Sequence, residues 1–289
     1  MGHGLLKNQN SPESIELLKA SSIAYSKAKS KEFVFTYTLC FLAIAYPIAY
    51  FFLKNETLKE ILFGISFAIT ASSWVLADYF KGNTSKGALL KELFDTRIFQ
   101  LHWKFFLNKP ESFVIIELAK NYKGATIKNW YPDNILESIN NRTATAICHR
   151  IGSYWDIILR EKYRNTLQTI IIIYTIIVFI VWVALAIDGR TIFFLYFSTL
   201  SFYTHFITLI RGNNITINKR KAIICKLDKL IEEKTPFTYE DLRDIQDEIL
   251  LLRQEPSKVH NFFYKKYNPL IRQVCEEYLE RINSIYLKW

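Results

Sequence analysis

Four apolar runs, set in two pairs around a basic polar middle, constrain this chain more than any other feature. Phe33 to Leu53 is 21 residues without a formal charge, Ile61 to Ala77 is 17, Asn165 to Ile187 is 23 and Thr191 to Ile210 is 20, with His205 the only titratable group in the last. A helix rising 1.5 Å per residue needs about 20 apolar residues to cross a bilayer core. Three runs meet that length outright. The second meets it when extended to Leu58 and Tyr79, with Lys59 and Asp78 snorkelling at its ends. A Lys or Asp held at mid-membrane costs roughly 2.5–3.5 kcal/mol on insertion scales, so four uncharged runs predict four membrane spans.

The charges predict an orientation. The segments before, between and after the two pairs carry 34 of the 37 Lys and Arg residues, and the two hairpin tips hold only Lys54, Lys59 and Arg190. Positive residues stay on the cytoplasmic side, which places both termini and the long middle segment inside. The expected organisation is a cytosolic helix at 1–32, a transmembrane hairpin at 33–80, a cytosolic helical segment at 81–164, a second hairpin at 165–210 and a cytosolic helical region at 211–289. The net charge of +10 follows from this topology and favours anionic lipid headgroups. It does not by itself imply a specific anionic ligand. The first 32 residues are polar and lack the apolar stretch of a cleaved signal.

The soluble parts read as helix throughout, which makes the fold class all-α. Ser11-Pro12-Glu13 is a cap, a Pro at the first helical position and an acid in the first turn. Residues 86–107 read as a long helix leaving the second span, and a shorter one starts at Pro110-Glu111 and runs to about Tyr122. The loop lies around Lys123-Gly124 and Trp130–Asp133, and 134–164 is expected to be mostly helical. Thr238 to Asp241 matches a capping box, with Phe237 and Leu242 as its hydrophobic staple. Ile224, Leu227 and Ile231 form one apolar stripe, and Leu242, Ile245, Ile249 and Leu252 another. They are expected to zip as a hairpin turned at Thr235-Pro236. Pro256 and Pro269 are expected to break the last stretch, and Pro47 to take a backbone bond from Ala43 and kink the first span.

No sequence motif carries enzyme chemistry. There is no Gly-rich phosphate loop, nucleophile elbow or HExxH, and no pair of carboxylates at a convincing spacing. No catalytic residue, cofactor or metal is expected. Cys40, Cys148, Cys225 and Cys275 lie far apart, with no CxxC or Cys/His cluster to suggest disulfides or zinc. Asp95 and Asp156 are the most noticeable acids and read as salt-bridge partners or as acids on a helix surface.

The middle segment carries a distinctive set of words: Phe94-Asp95-Thr96-Arg97 running on to Trp103, then Asn129-Trp130-Tyr131-Pro132-Asp133, His149-Arg150, and Trp155-Asp156 running on to Leu159-Arg160. With these words in this order between two membrane hairpins, the chain resembles the SMODS-associating four-transmembrane effectors, pore formers of bacterial CBASS antiphage operons. The resemblance covers nearly the whole chain. It implies an inner-membrane, homo-oligomeric effector that binds a cyclic oligonucleotide made on infection, and not a nucleic acid polymer. It also implies that the spans then assemble or open, so that the cell stops growing or dies.

A cyclic nucleotide needs aromatic faces for its bases and Arg or amide groups for its phosphates. Arg97, Trp103, Trp130, Tyr131, Arg150 and Arg160 are the right residue types in the right compartment. The plain alternative is that the aromatics are core and that Arg160, with Lys162 and Arg164, is a juxtamembrane anchor. In the spans, Ser198, Ser201, His205 and Thr208 share one helical face, as do Ser66, Thr70 and Ser73. Polar faces in lipid are costly unless turned to protein or water. They are candidates for a pore lining or assembly face, with close helix packing as the alternative. Two other functions fit the chain: a constitutive channel or small-solute transporter, and a membrane anchor recruiting a soluble partner through the C-terminal hairpin.

Overall fold

In a computed structural model of the chain, the described residues are 4–104, 107–233, 235–255 and 258–287, with the side chains at 66, 70, 73–83, 190, 194 and 198 left undescribed. Every regular element among them is helical. A short 3-10 turn at Gly4–Asn10 leads into α1 (Pro12–Phe52), α2 (Glu56–Phe99), α3 (Ser112–Lys120), α4 (Asn141–Ala184), α5 (Gly189–Ser198), α6 (Leu200–Ile231), α7 (Tyr239–Gln254) and α8 (Asn261–Leu287).

The local signals act as sequence chemistry dictates. The Ser11 side chain accepts from the Ser14 amide at the head of α1. Thr238 and Asp241 close a reciprocal capping box on α7, each side chain accepting from the other residue's backbone amide. The long helix leaving the second apolar run stops at Phe99, short of residue 107. There Gln100 adopts a left-handed φ of 56° and hands its amide to the Thr96 carbonyl, a local ending that satisfies an orphan carbonyl. α4 starts at Asn141, capped by Asn140, and residues 134–140 ahead of it are turns.

Pro269 does not break the last stretch; it lies inside α8. Ile271, Cys275, Leu279 and Ile282 are all buried on that helix, and this stripe outweighs the single backbone bond a proline removes. Pro256 lies outside the described residues. On α6 the buried stripe is Ile223, Leu227 and Ile231, one position off the expected start at Ile224. α7 packs chiefly on α2 and less on α6, so the expected hairpin is the lesser of its contacts.

α1 lies along α2 and α4 along α6, while α3 rests on α1, α7 on α2 and α8 on α4. Leu17, Leu90, Phe94, Ile147, Leu227, Leu242 and Leu279 belong to one continuous core. α1 and α2 pack tightly at Gly87, where an added Cβ would sit 3.0 Å from the Tyr25 ring and the Ser21 hydroxyl donates to the Gly87 carbonyl.

The polarity of the long helices reverses along their length. α4 buries Ile147 and Ile151 in its first half but exposes Ile172, Ile176, Ile180 and Val183 in its second. α1 buries Leu17 and Leu18 and later exposes Val34, Phe41 and Ile44. An exposed apolar surface of this extent marks contact with lipid or protein. Four threonine hydroxyls in the apolar halves are satisfied locally: Thr38, Thr169, Thr175 and Thr208 each donate to the carbonyl four residues back, which keeps a polar group paired where water is scarce. By length and composition α1 and α4 are each able to cross a membrane, and the pair Thr191–Phe197 and Leu200–Ile231, bent by 43°, makes a third if it acts as one span.

Candidate functional site

Below the apolar halves, a layer of charged side chains lies buried between the helices. On α2, Lys91, Glu92 and Asp95 sit one turn apart and face inward. Asp95 accepts from Lys91 at 2.9 Å, from the Tyr131 hydroxyl at 2.7 Å and from Arg253 at 2.5 Å. Glu92 accepts from Arg243 and from Gln246, both at 2.5 Å. Arg243 is fully buried and also holds Asp247. The α2 carboxylates are thus clamped by three side chains of α7. Tyr131 reaches in from the loop and is fixed by Gln9, which exchanges two hydrogen bonds with its backbone.

A second cluster joins α4 to α6. Asp156 lies 2.7 Å from Arg160 and 2.5 Å from Arg220. Arg160 also donates to Asn213, and Arg220 reaches Ser153. Tyr25 falls within Coulombic reach of Arg253, Asp95, Arg220 and Asp156, so the two clusters are neighbours. A third contact sits at the foot of the first apolar run. There the backbone amide of Lys258 donates to Glu32, and the Lys258 ammonium donates to the carbonyls of Arg253 and Glu255.

The electrostatics follow from burial. Across the three clusters five carboxylates (Glu32, Glu92, Asp95, Asp156, Asp247) face six cationic side chains (Lys91, Arg160, Arg220, Arg243, Arg253, Lys258). Desolvation alone would raise the Asp95 and Asp156 carboxyls. The facing cations overcome it, Arg253 and Lys91 for Asp95 and Arg160 with Arg220 for Asp156, and hold both well below the usual carboxylate range. Burial pushes the Lys91 ammonium down to about 7, only partly offset by Asp95. Burial also raises the Glu32 carboxyl and lowers the Lys258 ammonium. His149 packs edge-on to Phe99 at 4.8 Å, its Nε2 is buried without a partner, and burial lowers its pKa to about 3.

The sequence candidates spread over this layer rather than converge. Tyr131 is part of the Asp95 cluster. Trp130 is part-exposed and lies 4.4 Å over the Lys91 ammonium. Arg160 is buried in the Asp156 cluster. Arg97 is on the surface, 3.4 Å from Glu13. Trp103 donates its indole N–H to the Leu107 carbonyl. Arg150 pairs with Asp228 at 2.7 Å and stacks 3.8 Å over the Tyr278 ring. Trp155 lies 6.1 Å from Tyr264. In the apolar zone, Ser201 is buried, His205 bonds the Thr36 hydroxyl of α1 at 2.9 Å, and Thr208 points outward. The side chains of Ser66, Thr70, Ser73 and Ser198 lie outside the described residues.

Sequence reasoning missed Glu92, Arg243, Gln246 and Arg253. One signal was available: Lys91 and Asp95 stand at helical spacing among Leu89, Leu90, Leu93 and Phe94. Two cavities of about 200 Å³ lie among the same helices. One lies between the head of α4 and the α6–α7 turn, lined by Asn140, Arg142, Thr143, Phe237 and Tyr286 among others. The other lies between α4 and α8, lined by Arg150, Ile151, Tyr154, Val274, Cys275 and Tyr278.

Comparison with known proteins agrees with this architecture. The sequence profile of the SMODS-associating 4TM effector domain matches residues 4–280. A probable CBASS effector molecule of Bacillus cereus strain VD146 is 29% identical over 183 residues, which is 59% of this chain and 60% of that relative. The chain therefore spans about 60% of the length of the curated relative it matches. No solved structure matches. With the profile running across all eight helices and the buried layer between them, the chain belongs to the SMODS-associating 4TM effector family.

Proposed function

We propose that this protein is a membrane effector of bacterial CBASS defence, activated when its cytosolic helices bind a cyclic oligonucleotide. Its four spans, in two hairpins with both termini cytoplasmic, then assemble or open as a homo-oligomer in the inner membrane and permeabilise it. The protein is not catalytic, and the messenger and membrane lipid are its partners. The observation that carries this reading is continuity. α1 and α4 each pass unbroken from the buried charge layer into an apolar half that exposes large hydrophobic side chains. A change in how the cytosolic helices pack therefore reaches the lipid zone through rigid rods. Family membership and the charge distribution support the same reading.

Purified protein in liposomes loaded with a self-quenching dye tests it. Leakage is expected on adding one member of a panel of cyclic di- and trinucleotides, accompanied by a raised melting temperature, since a ligand that binds only the folded form stabilises it. Leakage without any nucleotide would instead identify a constitutive channel. Intact vesicles under all conditions would leave an anchoring role. Replacing Ser201 and His205 together by Leu is expected to suppress leakage while the nucleotide-induced thermal shift persists. Undiminished leakage would mean that this face only packs against α1.

A further inference from the structure

The two cavities differ in what their polar groups lack. In the first, Arg142 already donates to the Phe237 carbonyl at 2.6 Å and the Tyr286 hydroxyl to the Ile231 carbonyl at 2.9 Å. In the second, the Tyr278 hydroxyl is buried and has no partner. Arg150 spends its Nε–H on Asp228, and its four remaining N–H groups make no hydrogen bond among the described residues. A buried hydroxyl without a partner is costly, and so marks a place where a ligand atom would complete the site.

The shape narrows the ligand. The walls contributed by α4 are Arg150, Ile151 and Tyr154, and those contributed by α8 are Val274, Cys275 and Tyr278. Two tyrosine rings and aliphatic side chains bound a slot of about 200 Å³, below the roughly 300–1,000 Å³ that a whole small-molecule ligand occupies. It suits one planar ring. Stacking of a base on an aromatic face tolerates any base. A hydroxyl that can donate or accept then meets a ring nitrogen or exocyclic oxygen. The Arg150 guanidinium, pinned by Asp228 and 3.8 Å from the centre of the Tyr278 ring, has paired N–H donors to give to an adjoining phosphate.

We infer that the cavity between α4 and α8 takes one nucleobase of the messenger, with Arg150 on the phosphate beside it. This rests on the cyclic-oligonucleotide reading above and adds the place of entry. The position has a mechanical consequence. Arg150 ties α4 to α6 through Asp228, and Asp156 on the next turns of α4 ties the same two helices through Arg220. A ring entering the slot therefore works α8 against the α4–α6 pair, both members of which run on into the apolar zone.

Three variants in detergent micelles test it against a panel of cyclic di- and trinucleotides, read by calorimetry and thermal shift. Val274→Trp fills the slot and is expected to weaken binding by a hundredfold or more. Tyr278→Phe keeps the ring and the stack but removes the hydroxyl, and is expected to weaken binding about tenfold. Arg142→Ala, at the other cavity, is expected to leave affinity unchanged. Should Val274→Trp not fold, the isosteric Tyr278→Phe still decides. Wild-type binding with Val274→Trp and Tyr278→Phe equal to it would place the base elsewhere, overturning this inference and leaving the cyclic-nucleotide reading in force. Absence of any response from wild type to the whole panel would remove that reading and this site with it.

Discussion

The hydroxyl of Tyr174 on α4 donates at 2.7 Å to the carbonyl of Ala43 on α1. That carbonyl lies four residues before Pro47, which has no N–H to offer it. One side chain thus repairs, across two apolar helices, the bond that the proline removes. Tyr174→Phe is expected to cost about 1–3 kcal/mol, the price of a buried acceptor left unpaired. In a Pro47→Ala background, where the restored amide serves Ala43, the same change is expected to cost only a few tenths. Unfolding in detergent micelles, run as a double-mutant cycle, reads the difference. Equal costs in both backgrounds would show that Tyr174 does not serve the proline gap.

The clamp of Arg243 on Glu92 is fully buried on both sides. Removing one partner strands a charge, so Arg243→Leu is expected to lose about 3–5 kcal/mol. Glu92→Leu combined with Arg243→Leu is expected to lose less than Arg243→Leu alone, because two apolar groups can replace a desolvated pair. Denaturant titration of wild type, the single variant and the double variant provides the check, and a double variant worse than the single would refute it.

His149 gives a pH dependence with a definite sign. Its folded pKa of about 3 lies below the ordinary 6.5 because burial disfavours the imidazolium. As pH falls through 6.5 the unfolded chain takes up this proton first, so the histidine's contribution to stability is present above 6.5 and is lost on acidification towards 3. His149→Leu removes the titration and the partnerless Nε2. It is expected to gain on wild type by about 1.4 kcal/mol per pH unit between roughly 6 and 4. A stability difference flat over that window would mean that the ring is solvated.

The orientation is open to labelling. In a Cys225→Ser background, cysteines placed at Lys54 and Gly189 are expected to react with an impermeant maleimide added to intact cells. A cysteine at Lys123 is expected to react only after the membrane is opened. Labelling at Lys123 from outside would reverse the proposed topology.

Much of the frame was legible because its signals are local. The Ser11 cap, the Thr238–Asp241 box and the Pro47 gap each depend on residues within four positions of one another, and the α7 stripe needs only its own periodicity. Of the two readings open for Asp95 and Asp156, salt bridge or helix-surface acid, the structure shows the first, and each has a cation four residues away on its own helix. The buried layer was not legible. Arg243 and Glu92 are 151 positions apart, and Arg253 and Asp95 158 apart. In sequence, each of these charges is indistinguishable from one on the wet face of an amphipathic helix. Pro269 misled for the opposite reason: a strong local breaker was overruled by four buried contacts on one face of α8.

The unbroken passage of α4 from core to lipid zone also limits how such a protein can be recombined. No cut at residue 164 yields a separable soluble part, because it severs a helix in mid-course. A hybrid joining the polar half of the chain to foreign spans must preserve angular phase as well as length. Each residue inserted there turns everything beyond it by about 100°, swinging Ile172, Ile176 and Ile180 away from the side they now face. Seven inserted residues come back to within about 20°. Under the proposed function, leakage across an insertion series should therefore rise and fall with the helical repeat, as if both halves of α4 were geared to one shaft.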